Sequence, residues 1–158
     1  MTSTTTRPGT RPNRKIWSHA NSFLQAAELC WEHGIHEPLA VNSALAIELY
    51  LKSFLAIDLV KDERSLVGFT TERPKRGHNF IDLIEEIDSD DKTMLFDALN
   101  HIDSTTDWYE EFKKHENTFT DIRYWYESDI RATIKPEIVD FAKQLGDAVL
   151  AVGKTKHA

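Results

Sequence analysis

PLAVNSALAIELYLKSFLAIDLV, Pro38 to Val60, is the stretch on which the fold turns. Spaced at about 100° per residue, its apolar side chains surround nearly the whole circumference of a helix. Ala44, Ile47, Leu51 and Phe54 share one flank, and Leu45, Leu49 and Ala56 take the opposite one. A helix that is apolar all round belongs in the middle of a larger assembly, so Ala40 to Leu59 is expected to be the buried hub of a helical bundle. Pro38 suits its first turn, where a missing N–H leaves no hydrogen bond unmade.

The flanking sequence supplies the surrounding helices. Between Ile16 and His33 the apolar positions Ile16, Ala20, Phe23, Leu24 and Ala27 recur at helical spacing, and Gly34 follows as a C-terminal stop. A short amphipathic helix is expected over His78 to Ile87. The acidic DSDD, Asp88 to Asp91, then offers a turn and an N-cap for a helix carrying Met94, Leu95, Ala98, Leu99 and Ile102. Another short helix fits around Trp108, Tyr109 and Phe112. Pro136 opens a last one, with a stripe of Ile138, Phe141, Ala142, Leu145, Ala148, Val149 and Val152 that Gly153 closes. Lys61 to Gly77 reads as a long polar loop, and no strand pairs are evident. The expected fold is all-α, an up-and-down bundle of four to five helices. Its domain spans 14–153, between a disordered N-terminal tail over 1–13 and a short C-terminal tail over 154–158.

Composition excludes several function classes. The 158 residues carry a net charge of −7, so general attraction to nucleic acid is not expected. Cys30 is the one cysteine, which rules out an internal disulfide and a cysteine metal cluster and suits a reducing cytosol. The opening MTSTTTRPGTRPNRK has no apolar core of a secretory signal, and no apolar run approaches the roughly 18 residues of a membrane span. A cytoplasmic protein with no membrane association is expected. No phosphate-cradling glycine loop or nucleophile elbow occurs, and the histidines are scattered, so no cofactor and no metal are expected.

The polar residues of interest face this core. Glu48 projects from an apolar sector of the hub, and Lys52 one turn later stands in the favourable order for an ion pair. A buried carboxylate needs a partner, and Arg123 offers a bidentate one. The segment FTDIRYWYES, Phe119 to Ser128, then reads as a lid whose aromatic residues cover the bundle while Arg123 meets Glu48. Asn42, Glu48, Lys52, His78, Arg123, Tyr124, Tyr126 and Glu127 form the candidate set, as a ligand site or equally as a core ion network.

NSALAIELYLKSFL, then RGHNFIDLIEEI, then FTDIRYWYES ahead of a terminal amphipathic helix together resemble the HEPN domains of prokaryotes. The likeness covers about Ile16 to Val152. It implies a small helical bundle, commonly a dimer, and for many members a metal-independent ribonuclease of toxin–antitoxin, phage-defence or RNA-processing systems. Catalysis in the family uses an arginine and a histidine separated by four to six residues near the start of a late helix. Histidine serves there as general acid and base, and arginine stabilises phosphate charge. Here neither Arg123 nor Arg131 leads to such a histidine, since none occurs between His115 and His157. Arg14 with His19 and Arg73 with His78 match the spacing elsewhere in the chain.

The expectation is therefore a divergent, non-catalytic binding or regulatory module for RNA, a nucleotide or a partner protein. One alternative is a ribonuclease with an atypical site built on His78 and Arg123, helped by Lys52 and Glu48. The other is a structural dimerisation subunit. A homodimer is expected through aromatic surface at Trp108, Tyr109, Phe112 and Trp125.

Overall fold

The computed structural model describes residues 4–8, 10–61, 69–72, 77–124 and 136–158, with side chains over 10–57, 77–122 and 136–158. Strand β1 (Thr4–Pro8) precedes helix α1 (Arg14–Glu32) and helix α2 (His36–Lys52). A single 3-10 turn, Ser53–Leu55, leads into β2 (Ile57–Lys61) and β3 (Phe69–Glu72). The remaining elements are α3 (Phe80–Glu86), α4 (Ser89–Ile102), α5 (Trp108–His115), α6 (Thr118–Tyr124) and α7 (Glu137–Lys156). The long helices α1, α2, α4 and α7 make an all-α bundle, and the short ones fill in around it.

Helix α2 is the hub. It packs against α1, α3, α6 and α7, and from Leu39 to Ile57 no residue is exposed. Its extent differs from the sequence expectation, because the helix stops at Lys52 instead of running to Leu59. The β-branched Ile57 and Val60 lie in β2, where backbone pairing on both sides replaces helical bonds.

That pairing makes a small antiparallel sheet in the order β1-β2-β3, with Pro8 opposite Ile57 and Ile57 opposite Glu72. The sheet was not evident in the sequence. Thr4–Pro8 is a strand where the sequence reads as a tail, and Phe69–Glu72 is one inside the segment that reads as a loop.

Helix ends follow local chemistry. Asn13, Asn79 and Asp107 cap α1, α3 and α5 by accepting from the N–H of Ile16, Asp82 and Glu110. Helix α1 closes through Gly34 at φ 66°, with the Gly34 N–H donating to Trp31 O and the Ile35 N–H to Cys30 O. This double bond pattern needs a left-handed residue, which glycine supplies without steric penalty. Gly153 does not end α7, which continues to Lys156. Asp88 precedes α4 without a side-chain cap bond and meets Arg11 at 2.6 Å instead.

The last helix buries the whole expected stripe from Ile138 to Val152. Around Phe141 gather Trp108, Phe112 and His115, with Phe112 edge-on at 4.9 Å between ring centroids. Trp108 and Phe112 are thus core residues, 3% and 0% exposed, and are not the free dimer surface the sequence suggested. Of that set Tyr109 is exposed, and Trp125 lies outside the described residues.

After α4, Asp103 accepts from the Thr105 hydroxyl at 2.6 Å and the Thr106 hydroxyl at 2.7 Å, and from the Thr105 N–H at 2.8 Å. Those bonds, the Thr105 hydroxyl first, hold its carboxyl at about 2, below the ordinary 3.8. A depressed carboxyl contributes stability that is complete above its ordinary value and is lost as pH falls towards the folded one. The stability gap between wild type and Asp103→Asn should therefore be flat at neutral pH and shrink as acid approaches pH 2. Urea melts across that range check this, and a gap independent of pH would contradict it.

Candidate functional site

Helix α2 presents Glu48 and Lys52 one turn apart, and their side chains form an ion pair through Glu48 Oε1. Glu48 is 5% exposed, so its second oxygen also requires a partner in an otherwise apolar surrounding. That partner is His78, whose Nδ1 lies 2.7 Å from Glu48 Oε2. The chain brings His78 there because residues 77–79 are non-helical and Asn79 then caps α3. The opposing wall is α6, from which Phe119 stacks on the His78 ring at 5.3 Å and 23°.

Asn79 joins these elements. Its Oδ1 accepts from the Asp82 N–H, and its Nδ2 donates to Glu116 Oε2 at 3.2 Å in the turn leading to α6. One side chain therefore holds the residue next to His78 and the turn that delivers Phe119. Asn79→Ala is expected to cost about 1 kcal/mol, while Asn79→Ser, which keeps a cap, should lose less. Chemical denaturation of the two variants distinguishes them, and equal losses would mean the cap contributes nothing.

The ring of His78 remains largely open, with its side chain 60% exposed, while Lys52 is 15% exposed. Glu48 fixes the orientation of the imidazole and, in the neutral form, places the proton on Nδ1. Nε2 is then the polar atom left for a ligand. In that form Nε2 can accept a proton from a ligand, and once the ring carries both protons its Nε2–H can donate to an anion. Among the described residues, no three His, Cys, Asp or Glu side chains gather as a metal site.

Of the sequence candidates, the structure brings together Glu48, Lys52 and His78. Asn42 is elsewhere: its Nδ2 donates to Pro38 O at 2.7 Å within its own helix, and it serves that turn. Arg123 and Tyr124 close α6, but their side chains lie outside the described residues, as do Tyr126 and Glu127 altogether. The expected Glu48–Arg123 pair thus falls outside what is described. Both Glu48 oxygens already have partners in Lys52 and His78. Arg14 and His19 border one shallow depression on α1, and Arg73 lies outside the described residues.

Phe119, Asn79 and Glu116 were not singled out in the sequence. The Asn79 signal was legible, as an asparagine just ahead of a helical apolar run. The Phe119 stacking was not, because it joins residues far apart in the chain.

A family model described as HEPN domain matches residues 14–149. The protein belongs to the HEPN family. This span contains α1 to α6 and most of α7, including every residue of the Glu48 cluster. No curated protein matches the chain, and no solved structure matches it. Within this HEPN domain, among the described residues, no helix is long and apolar enough to cross a membrane.

Proposed function

We propose that this HEPN protein is a nucleotide-binding regulatory module whose ligand sits at His78. The observation that carries this reading is the buried Glu48 carboxylate bonded to Nδ1 of a mostly exposed imidazole. With both ring nitrogens protonated, His78 donates Nδ1–H to Glu48 and can offer Nε2–H to a phosphate oxygen, and the His78–Phe119 stack offers a neighbouring surface for a flat base. A compact ligand is favoured over long RNA, because a net charge of −7 opposes a polyanion tracked along the surface. A cytoplasmic role in a bacterial defence or toxin–antitoxin setting, with a homodimer as the working form, rests on the family resemblance.

A second reading is favoured by the same bond. A histidine held by a carboxylate is the general-base arrangement of many hydrolytic and transfer sites, so cleavage of RNA at its 2′-hydroxyl fits it chemically. One experiment separates the two. Wild type and His78→Ala are titrated with a fluorescent ATP analogue, then incubated with labelled single-stranded RNA in excess chelator. Saturable nucleotide binding that His78→Ala weakens about tenfold or more, with the RNA left intact, supports the module. RNA cut by the wild type and spared by His78→Ala assigns the ribonuclease. Neither binding nor cleavage would remove both.

A further inference from the structure

Away from the Glu48 cluster, the start of α1 and the end of α7 enclose a groove of about 560 Å³, within the size range of small-molecule sites. Trp17, Val149 and Gly153 make its apolar floor, and Leu150 lines the edge while 36% exposed. Trp17 is held in place by its Nε1, which donates to Gly146 O at 3.1 Å. Arg14, Lys154 and His157 supply the polar rim, and among the described residues no carboxylate lines it.

The charge distribution gives this groove its meaning. Every other described lysine and arginine side chain except Lys15 has a carboxylate within 4.0 Å, from Arg11 on Asp88 to Lys156 on Asp91. Arg14, Lys15 and Lys154 have none among the described residues. Arg14 and Lys154 both face the groove, and Lys15 shares an adjoining depression with Arg14. In a chain of net charge −7, cations that have no carboxylate partner among the described residues, collected at one apolar trough, form a complement to an anionic head on an apolar body.

We propose that this groove binds a single-chain aliphatic carboxylate, its tail along Trp17, Leu150 and Gly153 and its head between Arg14 and Lys154. The tail would displace water from apolar surface already held in shape by the bundle. The head would gain charge-assisted hydrogen bonds from groups that have no carboxylate partner among the described residues. Nothing in this site draws on Glu48 or His78.

The test titrates the full chain with decanoate below its micelle-forming concentration, reading calorimetry and the amide and indole N–H resonances. Acetate and decylammonium are the comparison probes. Decanoate is expected to saturate one site, moving the Trp17 indole and the Gly153 amide, while acetate and decylammonium leave them in place. The exposed pair Arg14→Ala with Lys154→Ala should weaken decanoate about tenfold or more without changing the melting temperature. Gly153→Leu should block it by filling the trough, since a Cβ there meets only Pro12 at an ordinary 3.5 Å. Decylammonium binding as tightly as decanoate would overturn the proposal. So would decanoate binding that neither shifts Trp17 nor responds to the double variant. Acetate moving the same resonances would reduce the site to a simple anion contact.

Discussion

Glu48→Ala should lower the stability of the domain by about 3–5 kcal/mol, the usual result of breaking a buried charge pair from one side. The loss arises from what is left behind. Lys52, 15% exposed, would keep its ammonium largely buried, with no other carboxylate among the described residues to meet it. His78 would contribute less, because its side chain is 60% exposed and water can replace Glu48. Replacing both members, as Glu48→Leu with Lys52→Met, should recover most of the loss, since well-packed apolar pairs often equal or exceed buried ion pairs. Urea denaturation of the single and double variants measures the coupling directly. A single variant within about 0.5 kcal/mol of wild type would show that the cluster carries no structural weight. The double variant also tests function: it should fold well and lose the nucleotide affinity assigned to His78.

The second large effect is expected at Gly146. Alanine in mid-helix ordinarily stabilises by roughly 1 kcal/mol over glycine. Here a Cβ would stand 2.6 Å from both Cζ and Oη of Tyr50, a ring that is fully buried between α1, α2 and α7. The ring or the α2–α7 spacing must move, and overpacking of this kind costs about 1–3 kcal/mol. Gly146→Ala is therefore expected to be destabilising in spite of its better helix propensity. Tyr50→Phe is the companion variant. The Tyr50 hydroxyl is buried without a hydrogen-bond partner among the described residues. Burial first, then the Asp147 and Glu28 carboxylates, hold that phenol well above its ordinary range and neutral. Removing the hydroxyl should be close to neutral alone and should reduce the penalty at Gly146. Thermal melts of the two singles and the double check this, and a Gly146→Ala protein more stable than wild type would refute the close approach.

Much of the bundle was legible because long helices carry their own period. The stripe of α7 and the all-round apolarity of α2 each determine what must be buried, with no knowledge of the partner. The sheet was hidden for the converse reason. Ile57 to Val60 continues an apolar run, and a short run of that kind does not distinguish strand from helix. What makes it a strand is pairing with Thr4–Pro8, about fifty residues earlier and unremarkable in composition. Trp108 and Phe112 show a missed local signal: with His115 they fall at i, i+4 and i+7, one face of α5. At the site, Glu48 and Lys52 were readable as a helix pair. The choice of His78 as the second partner was not, because it depends on how α3 and α6 dock on α2. Sequence can show that a buried acid needs a cation, but several cations were available.

That Pro12 and Gly153 line one groove has a topological consequence. The first helix begins beside the place where the last helix ends. A loop in a host protein could therefore be opened, the bundle spliced into the gap, and the host's own ends kept close together. Equally, the first and last helices could be joined by a short linker and new ends cut elsewhere, as circular permutation requires. The groove beside Trp17 would then lie at the seam, where a bound ligand would staple the two ends of the domain.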